Sequence, residues 1–171
     1  MSYLHIHKTN YYDELWQEGR YINFNINSFW DFSMHINPKV FNNYLDLINE
    51  YQLMLRELSL EYVRLERFNS FPSRKKSFWL IRNDNEQLNY WMNNLDGEKR
   101  LFEVEIDLQN GKIFKSRDFL LPKKENDFKT MLEEAKKYWS YNLIDNFSDD
   151  EYIYEGKLYI KREIPVGEGM R

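Results

Sequence analysis

The chain reads as an α+β domain with a mainly antiparallel sheet. Three observations carry this reading. Strand-like runs stand at both ends of the 171 residues, an Asn110-Gly111 turn joins two alternating runs, and helical periodicity fills the intervals between strands. The length suits one domain, residues 1–171. Aromatic residues make up 18% of the chain, so Tyr, Trp and Phe are expected to fill much of the core.

Composition removes several function classes. Lys and Arg number 24 against 28 Asp and Glu, a net charge of -4, which excludes a general nucleic-acid coat. Cysteine is absent, so there is no disulfide, no thiolate metal site and no cysteine nucleophile. The start, Met1-Ser2-Tyr3-Leu4-His5-Ile6-His7-Lys8, lacks a signal-peptide apolar region, and no apolar run approaches the roughly 20 residues of a membrane helix. The expectation is a cytoplasmic protein with no membrane contact.

In chain order, Tyr3 to His7 is a short strand with Leu4 and Ile6 on one face and Tyr3, His5 and His7 on the other. Thr9 or Asn10 caps a helix over about 10–18, and Gly19 stops it. Arg20 to Phe24 is a second strand, and residues 23–37 are linker-like. Asn37-Pro38 starts a helical insert at about 38–69. Along it Phe41, Tyr44, Ile48, Tyr51, Leu55, Leu58, Tyr62 and Leu65 step by three and four alternately. Such a seam packs on the domain's own core, or it pairs with a second helix in a homodimer.

Ser77 to Arg82 has few polar positions and reads as a central strand. Asp84 caps a helix over about 85–95 that Asp96-Gly97 ends. Leu101 to Leu108 alternates, with Phe102, Val104, Ile106 and Leu108 on one face; after Asn110-Gly111, Lys112 to Lys115 returns as its hairpin partner. Residues 117–126 are linker-like. Asn126 opens a helix to about Tyr141 that buries Phe128, Met131, Leu132, Ala135, Tyr138 and Trp139. Last come a strand from Asp150, a turn at Gly156 and a second strand to Ile164, with Glu151 where the first begins. A carboxylate there is a solvated rim residue or a catalytic group at the mouth of a cleft. Asp149 and Asp150 beside it would raise its pKa if all three crowd together.

Three runs resemble motifs of the ADP-ribosyltransferases of the diphtheria-toxin and poly(ADP-ribose) polymerase type. Leu4-His5-Ile6-His7-Lys8-Thr9, followed by Trp16-Gln17-Glu18-Gly19-Arg20-Tyr21-Ile22, resembles the opening strand with its His. Phe78-Trp79-Leu80, continuing to Asn89-Tyr90-Trp91, resembles the second motif. Glu151-Tyr152-Ile153-Tyr154, followed by Leu158-Tyr159-Ile160-Lys161, resembles the last. The resemblance implies an ADP-ribosyltransferase-like split sheet with a long helical insert. It implies NAD as substrate, and transfer of ADP-ribose to an unknown protein or nucleic acid, or hydrolysis. It implies that His5 bonds a ribose hydroxyl, that Trp79 stacks on nicotinamide where the family has Tyr, and that Glu151 stabilises the cationic sugar.

Other readings stay beside this one. His5 and His7 have a metal-ligand spacing with His35 as a third donor, but no motif ties in a carboxylate, and no metal is expected. Arg74, beside Ser73, can meet a phosphate bidentately or sit in a salt bridge. Arg74-Lys75-Lys76 and Lys123-Lys124 are a solvated surface or a patch for a nucleic-acid acceptor. The rival from another class is a non-catalytic interaction protein of the same fold, pairing through the helix at about 38–68.

Overall fold

A computed structural model describes residues 2–8, 13–23, 43–141 and 145–165. Its strands are β1 (Tyr3–Lys8), β2 (Tyr21–Ile22), β3 (Phe78–Arg82), β4 (Lys99–Ile106), β5 (Lys112–Arg117), β6 (Asp150–Glu155) and β7 (Leu158–Ile164). They form a seven-stranded sheet in the order β2-β7-β4-β1-β3-β6-β5, antiparallel at every junction. Among the described residues three helices accompany it: α1 (Tyr44–Arg67), α2 (Asn85–Asn94) and α3 (Phe128–Ser140). The class is α+β, and the Ser77–Arg82 run is an interior strand, between β1 and β6. Among the described residues no helix is long and apolar enough to cross a membrane.

The Asn110-Gly111 turn does not close a hairpin. β4 lies between β1 and β7, whereas β5 is at the far edge and pairs with β6. Nor do β6 and β7 pair, although only Gly156 and Lys157 separate them. Tyr154 explains both. Its hydroxyl accepts from Asp107 N at 3.1 Å and lies 3.1 and 3.0 Å from the Asp107 and Lys157 carbonyls. A Cβ on Gly111 or Gly156 would collide with its ring. The phenol occupies the space a hairpin ladder would use, so both turns carry the chain from one side of the sheet to the other.

β1 and β4 pair along six residues, from Tyr3 opposite Val104 to Lys8 opposite Lys99. The β1–β3 ladder holds only Tyr3–Arg82 and Leu4–Ile81. Beyond Leu4 the two strands part, and His5 sits at the parting. One face of the sheet packs on itself: Tyr3, Phe78, Leu80, Phe102, Tyr152, Tyr154 and Leu158 share a cluster with Trp16 and Ile22. On the other face α1 and α3 cover Phe114 and Ile153, while α2 covers Leu4, Ile81 and Leu101. Trp139 ties the first two helices together by donating Nε1–H to Leu60 O at 2.8 Å.

The helix expected over 10–18 is, within the described residues, a single 3-10 turn at Asp13–Leu15. Its successors bond β7 instead: Gly19 N donates to Ile160 O and Ile160 N to Arg20 O, both at 2.9 Å. Gly19 takes a positive φ of 78° to make the return. The expected start at Asn37-Pro38 and Phe41 lies outside the described residues. α1 begins at Asn43, whose side chain accepts from Asp46 N at 2.9 Å. α2 starts at its expected cap, Asp84, and α3 is capped by Asp127 rather than Asn126. Leu108 and Phe128 are exposed, because one falls in the turn and the other in the first turn of α3.

The seam of α1 is not core. From Tyr44 to Leu65 its residues are 40–84% exposed, while Glu57, Ser59, Leu60, Val63 and Arg64 are buried. The inward face mixes polar and apolar groups. Leu60 and Val63 meet α3, and Glu57 and Arg64 are held by ion pairs. Apolar periodicity registers only the outward stripe.

Candidate functional site

The turn before β3 is built first. Ser73 N donates to Glu155 Oε2 at 2.7 Å, Ser73 Oγ to Glu61 Oε1 at 2.9 Å, and Ser77 Oγ to Ser73 O at 2.7 Å. These bonds hold the 3-10 turn Arg74–Lys76 against α1 and β6 and drive Arg74 inward. Its guanidinium meets Glu57 through Nε (2.8 Å) and Nη2 (3.3 Å). Nη1 reaches Tyr138 Oη at 2.7 Å and Glu151 Oε1 at 3.0 Å. Tyr138 donates its hydroxyl to the same Glu151 oxygen. Arg74 also lies 5.4 Å from the Trp79 and Tyr138 ring centres.

Two carboxylates therefore share one guanidinium out of contact with water. Burial alone would push the Glu57 carboxyl up, but Arg74 and then Arg56 outweigh it and hold Glu57 below its usual range. Burial would lower Arg74; Glu57, Tyr138 and Glu151 together raise it well above normal. Burial raises the Tyr138 phenol far above its usual value, partly opposed by Arg74 and reinforced by Glu151. Tyr138 is thus a hydroxyl donor at any ordinary pH.

The sequence-predicted residues divide between two faces. Trp79 stands opposite Ile153 in the β3–β6 ladder, and Glu151, two residues before Ile153, lies on the same face by alternation. Arg74, Trp79 and Glu151 come together there. His5 shares the other face with Phe78 and Trp16, stacked on the indole at 4.1 Å. It reaches Trp79 only through the backbone, donating Nδ1–H to the Trp79 carbonyl at 2.8 Å. Burial lowers His5 to about 3, the carbonyl bond raises it and His7 lowers it further, so the ring is neutral.

Glu151 is no rim residue: it is 3% exposed, beneath α1 and α3. Nor do its acidic neighbours crowd it. Asp149 binds Arg117 at 2.7 Å, and Asp150 turns to the opposite face, to Lys115 at 2.9 Å. The Arg74 fork is engaged with Glu57, so Arg74 does not extend a basic patch with Lys75 and Lys76. An open pocket of about 260 Å³, lined by Ser2, Arg82, Asn83 and Asp84, includes none of the four predicted residues. His35 lies outside the described residues; among those described no three His, Asp or Glu groups gather as a metal site.

Sequence reasoning missed Glu57 and the polar use of Tyr138. Tyr138 was legible as one tooth of an apolar face. Glu57 carried no signal, because it stands among the charged residues of a helix whose apolar stripe points away from it.

Residues 3–165 match a protein family described as of unknown function, DUF2441. No curated protein matches the chain.

Proposed function

Since the chain belongs to the DUF2441 family, whose function is unknown, we propose from its own residues that it binds NAD and breaks the nicotinamide–ribose bond. ADP-ribose then passes to a macromolecule, protein or nucleic acid, or to water. One adjacency carries the reading. The three runs that resemble ADP-ribosyltransferase motifs are far apart in sequence, yet β1, β3 and β6 are consecutive strands. The sheet parts between the first two, at His5.

The residues suit these roles. A neutral His5 that donates Nδ1–H to Trp79 O keeps Nε2 as an acceptor for a ribose hydroxyl. Half-buried Trp79 offers a ring for nicotinamide. Glu151 is a fixed carboxyl group beside the sugar as the C–N bond breaks and its electron pair leaves with nicotinamide. Such a group is worth roughly 3–4 kcal/mol in the transition state. Arg74, open in the sequence to a phosphate or a salt bridge, is salt-bridged and positions Glu151. On this reading the nucleotide displaces the Tyr138 hydroxyl from Glu151 and enters between the parted strands.

The test is nicotinamide release from NAD by the purified chain beside Glu151→Gln, with calorimetry of NAD binding to both. Release that vanishes in the variant while NAD still binds supports the reading. Absence of NAD binding to the wild type overturns it.

A further inference from the structure

We propose that the outer face of α1 is a dimer interface, in which two copies of the helix pack antiparallel about a two-fold axis. The inference rests on α1 alone and stands or falls apart from the NAD reading.

From Tyr44 to Leu65 the seam steps by four and three without a break, a seven-residue repeat held over three heptads. A helix lying on its own globular core follows the 3.6-residue turn and shows a broad stripe. A strict 3.5-residue period is the pattern of a helix wound on another helix. This seam points outward, while the opposite face of α1 is occupied by α3 and the acid cluster. Side chains 40–84% exposed along the seam, with Leu45 beside them, present on the order of 800 Å². That is one partner's share of a standard interface and more than an ordinary monomer patch of a few hundred Å².

The helix dipoles favour one direction of pairing. An antiparallel pair opposes the two helix dipoles. The core layers then match large with large and branched with branched: Tyr44 with Tyr62 of the partner, Ile48 with Leu58 of the partner, Tyr51 with Leu55 of the partner. The same contacts recur under the two-fold, which is what an isologous interface needs.

Light scattering on the full chain is expected to give twice the mass of one copy at micromolar concentration. The double variant Leu55→Glu, Leu58→Glu is expected to be a folded monomer with an unchanged far-UV helix signal. A monomeric wild type, a variant that stays dimeric, or a variant that unfolds would each overturn the proposal; unfolding would mean the seam is covered within its own chain. Orientation is read separately, in a chain that has no cysteine of its own. Oxidised Tyr44→Cys, Tyr62→Cys is expected to cross-link. Leu65→Cys alone is not, because the antiparallel arrangement holds its two copies roughly 35 Å apart at 1.5 Å per residue. A Leu65→Cys cross-link would sink the antiparallel pair.

Discussion

Tyr138 donates its hydroxyl to Oε1 of Glu151, and neither side chain is open to water. The same oxygen takes a second donor from Arg74 at 3.0 Å. A carboxylate that the sequence places at the start of a strand is thus held by a helix and a turn, and its position is set by residues on three elements.

Arg74 neutralises two buried acids, so its loss leaves both uncompensated. Arg74→Met is expected to destabilise the fold by about 3–5 kcal/mol. Urea denaturation checks this; a midpoint close to that of the wild type would contradict it.

Tyr138→Phe keeps the ring and removes the hydroxyl. It is expected to cost about 1–3 kcal/mol, because Glu151 loses a buried donor. On the NAD reading the two partners separate: Tyr138→Phe retains nicotinamide release, whereas Glu151→Gln loses it.

His5 titrates near 6.5 when unfolded and at about 3 when folded, because burial disfavours its charged form. Between these values the unfolded state binds the extra proton. The contribution of His5 is therefore fully present above pH 6.5 and is lost as pH falls toward 3. Across pH 6.5 to 5 the slope it adds approaches ~1.4 kcal/mol per pH unit. His5→Gln is expected to flatten stability in that window, measured by denaturant melts at each pH. An unchanged slope would mean that His5 charges in the folded state.

Glu57 adds a loss at lower pH. Its carboxyl is held below the usual value, so its contribution is present above the ordinary carboxylate range and disappears as pH falls beneath it.

Gly111 faces the Tyr154 ring where a Cβ would collide. Gly111→Ala is expected to cost about 1–3 kcal/mol through overpacking. Combined with Tyr154→Leu, the added cost should shrink, since the atom it strikes is gone. Strict additivity in this double-mutant cycle would show that the phenol does not set the crossing.

Leu60 is fully buried under α3, and Leu58, two residues earlier, is exposed. Leu60→Ala is expected to cost about 2–5 kcal/mol. Leu58→Ala, measured below the concentration at which copies associate, should stay within about 0.5 kcal/mol. The reverse order would place the seam in the core.

Strand, helix and cap positions were largely legible, because alternation, capping residues and glycines act over a few neighbours. Asp84 at the start of α2, the α1 end near Arg67 and the strand beginning at Asp150 are of this kind. Pairing was not legible. Asn110-Gly111 specifies a turn, but whether its strands join depends on Tyr154, more than forty residues away. The direction of α1 escaped for a similar reason: its apolar period names a face, and only the packing of Leu60, Val63 and Glu57 says which face is inside.

The sequence by itself determined the α+β class, most of the segments and the candidates His5, Arg74, Trp79 and Glu151, because local propensity and side-chain chemistry are properties of the residues alone. Tertiary structure decided which of them meet. It brought Arg74, Trp79 and Glu151 onto one face with Tyr138 and Glu57, set His5 on the other, and turned the longest apolar seam outward. Burial, ion pairing and strand order depend on contacts between distant parts of the chain, and a linear reading holds no distance between them.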